Sequence, residues 1–126
     1  MGAVAGPSIV VQMLIAMEHD LQQRVNYKMD TSMMLSMRSI FLGQKKSDAL
    51  QKLSQCESMQ SSGYVSAKAV VDQIEAQERQ LQAMEKQLEM QINKLNNQLK
   101  QVQQRKDGAQ KILDQNIKSA FSYGQG

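Results

Sequence analysis

The clearest pattern in the chain is a seven-residue repeat of apolar residues in its C-terminal half. The repeat begins at Ala67, ends at Ala109, and has Ile74, Leu81, Leu88, Leu95 and Val102 between them. If these residues occupy heptad position d, position a contains Val71, Ile92, Leu99 and Leu113. Alternating spacings of three and four residues are typical of a helix that packs along one seam against another helix. The pattern predicts a coiled-coil helix over residues 64–122.

The N-terminal half has a less regular apolar pattern. Val10, Leu14, Met17 and Leu21 are spaced four, three and four residues apart, as on one helix face. From Leu21 onward the spacing becomes a repeated four, through Val25, Met29, Met33 and Met37. Because repeated fours drift around a helix, we expect a broad buried face within a helical region over residues 9–56. The alternative is that residues 30–32 interrupt this helix and cap a new one.

Glycine, proline and serine mark the predicted boundaries. Residues 1–8 contain Gly2, Gly6 and Pro7, which favours a flexible N-terminus, and residues 123–126 form a tail. Residues 57–63 are rich in serine and end in Gly63, so we expect a loop that reverses the chain. Apolar spacing shifts after Gly108, which predicts a stutter there. The predicted fold is all-α, an antiparallel helical hairpin with a long C-terminal coiled-coil helix.

A hairpin of two helices buries too little apolar area to offset its chain entropy, so we expect further contacts between subunits. The N-terminal face should pack on part of the C-terminal stripe, and the remaining apolar surface should lie between copies. The residues expected at these interfaces are Val10, Leu14, Met17, Leu21, Val25, Ile74, Leu81, Leu88, Ile92, Leu95, Leu99, Val102, Leu113, Ile117 and Phe121.

Two features leave alternatives open. The methionines of the first helical region could be adaptable core residues or an interface that tolerates small shifts, since thioether side chains repack at low cost. Polar residues occupy three a positions of the C-terminal helix, at Glu78, Glu85 and Lys106. These side chains could face water, or they could fix the register against a partner helix.

Charge and composition limit the function. The net charge is +3, tryptophan is absent, and the first basic residue is Arg24, so a conventional secretory signal is not expected. The apolar run over residues 9–17 is about half the ~20 residues that span a bilayer. No transmembrane segment is therefore predicted. The late basic residues alternate with Asp107, Asp114 and glutamines, which favours a solvated helix face over a nucleic-acid interface.

The chain offers no recognisable catalytic chemistry. His19 stands between Glu18 and Asp20, but adjacent helical residues point in different directions and do not converge on one metal ion or substrate. Cys56 is the single cysteine and has no histidine near it in sequence. We expect no enzyme activity, no catalytic or metal-binding residues and no cofactor.

The order of features resembles that of a known family. An apolar helix with the sequence SIVVQMLIAMEHDLQQRV is followed by a polar middle segment and then by a long coiled-coil helix with the sequence VVDQIEAQERQLQAMEKQLEMQINKLNNQLKQVQQ. This layout resembles that of the filament-forming subunits of bacterial type III secretion systems. The resemblance implies terminal helices that pair antiparallel and polymerise into an extracellular tube, and an uncleaved subunit exported without a conventional signal peptide.

The function expected from the sequence is that of a structural, self-assembling coiled-coil protein. It would be a homo-oligomer, and a subunit of an extracellular filament or secretion-related assembly if the resemblance holds. The alternatives are a cytoplasmic chaperone or adaptor that binds one client protein through its coiled coil, and a phage structural protein.

Overall fold

The computed structural model of the chain describes the backbone of residues 2–56, 58 and 60–125, and the side chains of residues 8–56, 58 and 60–122. The described residues form two α-helices, α1 (Gly2–Ser54) and α2 (Ser62–Gln125), and contain no β-strand. Side chains of the two helices pack together as a helical hairpin. The all-α fold with a long C-terminal helix is therefore confirmed.

The helix ends differ from the predicted boundaries. Helix α1 begins at Gly2 and so includes most of the segment predicted to be flexible, and α2 extends to Gln125, into the predicted tail. The remaining residues of these two segments, Met1 and Gly126, lie outside the described residues.

Serine side chains organise the connection between the helices. The Ser61 hydroxyl accepts a hydrogen bond of 3.1 Å from the backbone N–H of Tyr64, as expected of an N-cap residue of α2. The Ser61 hydroxyl also donates to the carbonyl oxygen of Ser58, at 2.9 Å. The loop therefore spans residues 55–61, about two residues earlier than the predicted 57–63. Glu57 and Met59 of the predicted loop lie outside the described residues.

Packing divides the hairpin into two compact units, each built from a part of both helices. The first unit combines Met1–Tyr27 with Gln91–Gly126, and the second unit is Lys28–Met90. In the second unit, four buried residues form one hydrophobic cluster, and Leu88 packs against it at partial burial. The four are Leu35, Leu42, Ile74 and Leu81. In the first unit, the buried apolar residues are Val11, Leu14, Val25, Leu95, Leu99 and Val102.

Helix α1 buries a set of residues that only partly matches the predicted one. Its buried apolar residues follow a heptad pattern that starts at Val11 and Leu14 and returns at Leu35, Leu42 and Ala49. The half-buried Glu18, Leu21, Lys28, Ser32, Lys46 and Leu53 fill further positions of the same pattern. We call this α1 face, together with the a and d positions of α2, the hairpin seam. The seam is regular although several of its members are polar.

The predicted broad buried face of α1 is wrong. Met29, Met33 and Met37 are all more than half exposed, so the repeated fours mark a second face of the helix and not its core. Helix α1 also runs without interruption through residues 30–32, which excludes the alternative of a new helix starting there.

The stutter predicted at Gly108 is also absent from the described part of α2. The helix is continuous through Gly108, and Lys106, Ala109 and Leu113 are half-buried at successive a and d positions. The heptad register therefore continues past the glycine. Of the apolar residues that suggested a shift, Leu113 is half-buried at its a position, and Ile112, Ile117, Ala120 and Phe121 are exposed.

Candidate interaction surface

A row of large apolar side chains lies on α1 in the second unit, on the side away from the hairpin seam. The row consists of Met33, Met34, Met37, Ile40 and Phe41, which we call the outer stripe. Each of these side chains is between 56% and 70% exposed. Their spacing brings them onto one helix face, because residues three, four and seven apart are neighbours on a helix surface.

The outer stripe is large for a surface feature of a small chain. Five such side chains, each more than half exposed, present roughly 600 Å² of mostly apolar surface, at the upper end of the patches found on monomeric proteins. Patches of this size commonly mark sites of association. Methionine suits such a site because its unbranched thioether chain adapts to the shape of a partner. The methionines of α1 therefore do not form the core of this hairpin, which answers the question that the sequence left open.

Charged residues border the outer stripe at both ends. Asp30 precedes it by one helical turn, and Lys45 follows it with its Nζ atom 4.7 Å from the centre of the Phe41 ring, a cation–π contact. On one flank, Phe41 and Arg38 border a groove of about 490 Å³ whose α2 side includes Met84. The stripe thus combines an apolar centre with a negative end and a positive end.

The residues predicted at interfaces fall into three groups in the structure. The buried ones are Leu14, Val25, Ile74, Leu81, Leu95, Leu99 and Val102. The half-buried ones are Leu21, Leu88, Ile92 and Leu113. The exposed ones are Val10, Met17, Ile117 and Phe121. The first two groups belong to the hairpin seam. The exposed residues all lie in the first unit, where Ile9, Met13, Ile15 and Ile112 are exposed as well.

The sequence left open whether the methionines of the outer stripe belong to a core or to an interface. The signal was present, because Met33 and Met37 are followed by Ile40 and Phe41 on the same helix face. The ambiguity arose because an apolar face looks the same in sequence whether it is covered by the chain itself or left exposed.

Ion pairs across the hairpin seam involve two of the three polar a positions of α2. In the second unit, the Nζ atom of Lys46 lies 3.3 Å from a carboxylate oxygen of Glu78 and 3.6 Å from one of Glu75. In the first unit, the ammonium group of Lys106 donates a hydrogen bond to the carboxylate of Glu18. Side chains of opposite charge that meet only in one alignment favour that register over shifted ones. Glu78 and Lys106 therefore contact partners on α1, in keeping with a role in fixing the register.

These ion pairs make the stability of the hairpin sensitive to alkaline pH. Contact with Glu78 raises the pKa of Lys46 above the ordinary lysine value of 10.5, and contact with Glu18 raises the pKa of Lys106 in the same way. A raised folded-state pKa gives stability that is fully present below pH 10.5 and is lost as pH rises through the folded-state pKa. We expect the double variant Lys46→Gln/Lys106→Gln to be less stable than the wild type near neutral pH.

The measurement is urea denaturation of both proteins, followed by circular dichroism from neutral pH to beyond the lysine range. The difference between wild type and variant should shrink once the lysines lose their protons. A difference that stays constant through this range would contradict the assignment of the stability to the ion pairs. Because both lysines retain contact with solvent, we expect a modest effect.

His19 and its neighbours each contact a different group. Glu18 pairs with Lys106, Asp20 pairs with Arg24 at 3.1 Å, and the Nε2 atom of His19 lies 3.1 Å from Nε2 of Gln23. Across the described residues, no three His, Cys, Asp or Glu side chains are grouped so that they could hold a metal ion.

Cys56 is a half-buried free thiol at the start of the loop, and its Sγ atom donates to the backbone carbonyl oxygen of Lys52. Neither helix, over the residues described, has an apolar stretch long enough to cross a membrane.

Comparison of the chain with protein-family models, with curated proteins and with solved structures gives no match. The argument for function therefore rests on the surface of the hairpin itself.

Proposed function

We propose that this chain is a non-catalytic structural subunit that assembles with further copies of itself through the exposed apolar face of α1. The observation that carries the proposal is the exposure of the outer stripe, five large apolar side chains on a helix whose opposite face is already used by the hairpin seam. A helix with two apolar faces can pack against α2 on one side and against another molecule on the other.

Two further features support assembly. Apolar residues are also exposed in the first unit, Ile9, Met13 and Phe121 among them. The chain therefore has more than one exposed apolar surface whose burial would be favourable. The cores of both units are also shallow, since each consists of one seam between two helices. Association would add buried apolar area that such a seam does not supply by itself.

The layout shared with the filament subunits of type III secretion systems gives this proposal a more specific form. A subunit with two separate apolar surfaces can extend an assembly indefinitely if the surfaces differ, which is the requirement for a filament. We propose an extracellular or secretion-related filament as the assembly, and a discrete homo-oligomer as its simpler form.

The proposal is tested by sedimentation velocity over a range of protein concentrations, with negative-stain microscopy of the concentrated samples. We expect the wild type to associate as its concentration rises and Met34→Asp to lower the association constant by at least about tenfold, since a carboxylate would be buried among apolar groups. Met34→Asp should keep its helical circular dichroism because Met34 is 70% exposed in the hairpin.

The matched control is Ala83→Asp, which adds the same charge to an exposed position of α2 in the same unit. It should associate as the wild type does. A wild type that stays monomeric at every concentration would refute self-assembly and would favour a module that binds one client protein. Equal losses in both variants would show that charge, and not the outer stripe, controls association.

A further inference from the structure

Three residues of the outer stripe, Met34, Met37 and Phe41, belong to a second heptad pattern that extends beyond the stripe at both ends. Asp30, Met34, Met37, Phe41 and Gln44 follow one another at spacings of four, three, four and three residues, which is the spacing of a coiled-coil seam. These positions alternate with the residues of the hairpin seam and lie on the opposite side of α1, where all five are exposed. This side of α1 therefore has the spacing that a second helix could pack against, while α2 covers the opposite side.

The charges nearest the apolar centre of this second seam, Asp30 and Lys45, favour one direction for a second helix packed on it. Asp30 lies at one end, and Lys45 lies at the other, held over the Phe41 ring. Two copies of the seam aligned parallel would place Asp30 against the partner's Asp30 and Lys45 against the partner's Lys45. Two copies aligned antiparallel would place Asp30 against the partner's Lys45, twice per dimer. Opposite charges across an interface favour the second arrangement, and like charges disfavour the first.

We propose that a second copy of this chain docks on the outer stripe antiparallel to the first, about a two-fold axis that passes between Met37 and Arg38. In this register Asp30 faces the partner's Lys45, and Met34 faces the partner's Phe41. Arg38 lies beside the axis at the flank of the seam. This inference rests on the proposed function, and it adds the identity, direction and register of the partner.

The area available fits a pairing of two copies. Roughly 600 Å² of apolar surface from each copy gives an interface of about 1,200 Å², the lower limit of specific and stable protein interfaces. An isologous contact uses the same patch on both subunits, so it needs no further complementary surface elsewhere on the chain. Adaptable methionine side chains can also fill the space around the axis, where identical residues meet.

A charge-swap experiment tests the direction of pairing. Asp30→Lys and Lys45→Asp are each expected to weaken dimerisation by about five- to tenfold at low salt, because each places like charges across both ends of the interface. The double variant Asp30→Lys/Lys45→Asp should recover most of the wild-type affinity. Sedimentation equilibrium gives the dissociation constants, and the differences should shrink at high salt. In a parallel dimer neither single variant would weaken binding, because each would only replace one like-charged pair by another.

Disulfide cross-linking tests the register. In a Cys56→Ser background, oxidised Met37→Cys should form a covalent dimer, because residue 37 lies beside the axis and meets its own copy. Asp30→Cys should not, because in the antiparallel register residue 30 lies about two turns from the axis and therefore about four turns, roughly 22 Å, from its own copy. Efficient cross-linking through Asp30→Cys would overturn the proposed direction.

The outcomes for the two proposals are distinguishable. Wild-type protein that never associates would refute self-assembly and this pairing together. Association that is insensitive to both charge variants and gives no cross-link at Met37→Cys would refute this pairing alone, and would leave self-assembly through another surface. Association only with an added protein or with lipid vesicles would replace the second copy by that partner.

Discussion

Replacing Leu95 by aspartate is expected to unfold the helical packing of the first unit. Leu95 is 9% exposed and lies on the hairpin seam of α2, so the new carboxylate would be buried among apolar side chains without a designed partner. Burial of an unpaired charge in such a position costs several kcal/mol, roughly 3 kcal/mol or more, which is a large share of the stability of a small helical chain. Thermal denaturation followed by circular dichroism measures the loss.

The control for Leu95 is Gln98→Asp, which introduces the same charge three residues further along α2 at an exposed position. We expect this control to unfold at nearly the wild-type temperature. Equal tolerance of both substitutions would show that the heptad frame assigned to α2 is wrong in this unit. Equal damage would show that α2 is sensitive to negative charge and not to the loss of a buried side chain.

Truncation of Leu81 to alanine is expected to have the second-largest effect, in the second unit. Leu81 is 5% exposed and belongs to the hydrophobic cluster with Leu35, Leu42 and Ile74. Removal of a buried leucine side chain costs about 2–4 kcal/mol, because the lost transfer free energy is increased by the cavity that remains. The free energy of unfolding from urea titration gives the value directly, provided that all proteins are compared at one low concentration.

The control for Leu81 is Met84→Ala, on the same helix but 44% exposed. It should cost less than about 1 kcal/mol, since little apolar area is removed from the core. Amide hydrogen exchange locates the effect. In the Leu81 variant, the protection of backbone amides should decrease in residues 28–90. If the Leu81 variant were as stable as the Met84 variant, Leu81 would not be a stabilising member of the hydrophobic cluster.

Helix α2 could be predicted from the sequence because its core residues are nearly all apolar. Ile74, Leu81, Leu95 and Val102 repeat at exact heptad spacing, and each is buried. A seam that alternates in threes and fours and contains branched aliphatic residues has few other structural solutions.

The seam of α1 was harder to find because polar residues interrupt it. Lys28, Ser32 and Lys46 fill half-buried positions among the buried residues Val25, Leu35, Leu42 and Ala49. A lysine can pack its methylene groups in a seam and extend its ammonium group to a carboxylate. The residue that supplies this carboxylate can be identified only when the partner helix and its register are known. The methionines, by contrast, give a strong apolar signal and lie outside the hairpin. The sequence pattern therefore indicated two apolar faces on α1 without indicating which of them α2 covers.

The loop was predicted within about two residues because serine has a local chemical role there. Ser61 caps α2 through its hydroxyl, and this contact depends only on neighbouring residues. The ion pairs between Lys46 and Glu78 and between Lys106 and Glu18 depend on residues far apart in sequence. Local chemistry could be predicted, whereas long-range pairing needed the structure.

Gly43 and Gly108, which lie in the interiors of α1 and α2, lower the local stability of the two helices. Gly43 and Gly108 have ordinary helical backbone, and a methyl group added at either would meet no atom within 4 Å. Neither glycine is required by a turn or by close packing, yet each costs a helix interior about 1 kcal/mol relative to alanine. Both helices thus carry a point of lower intrinsic helix stability, one in each unit. In the assembly proposed above, contacts with neighbouring copies would offset this local loss of stability.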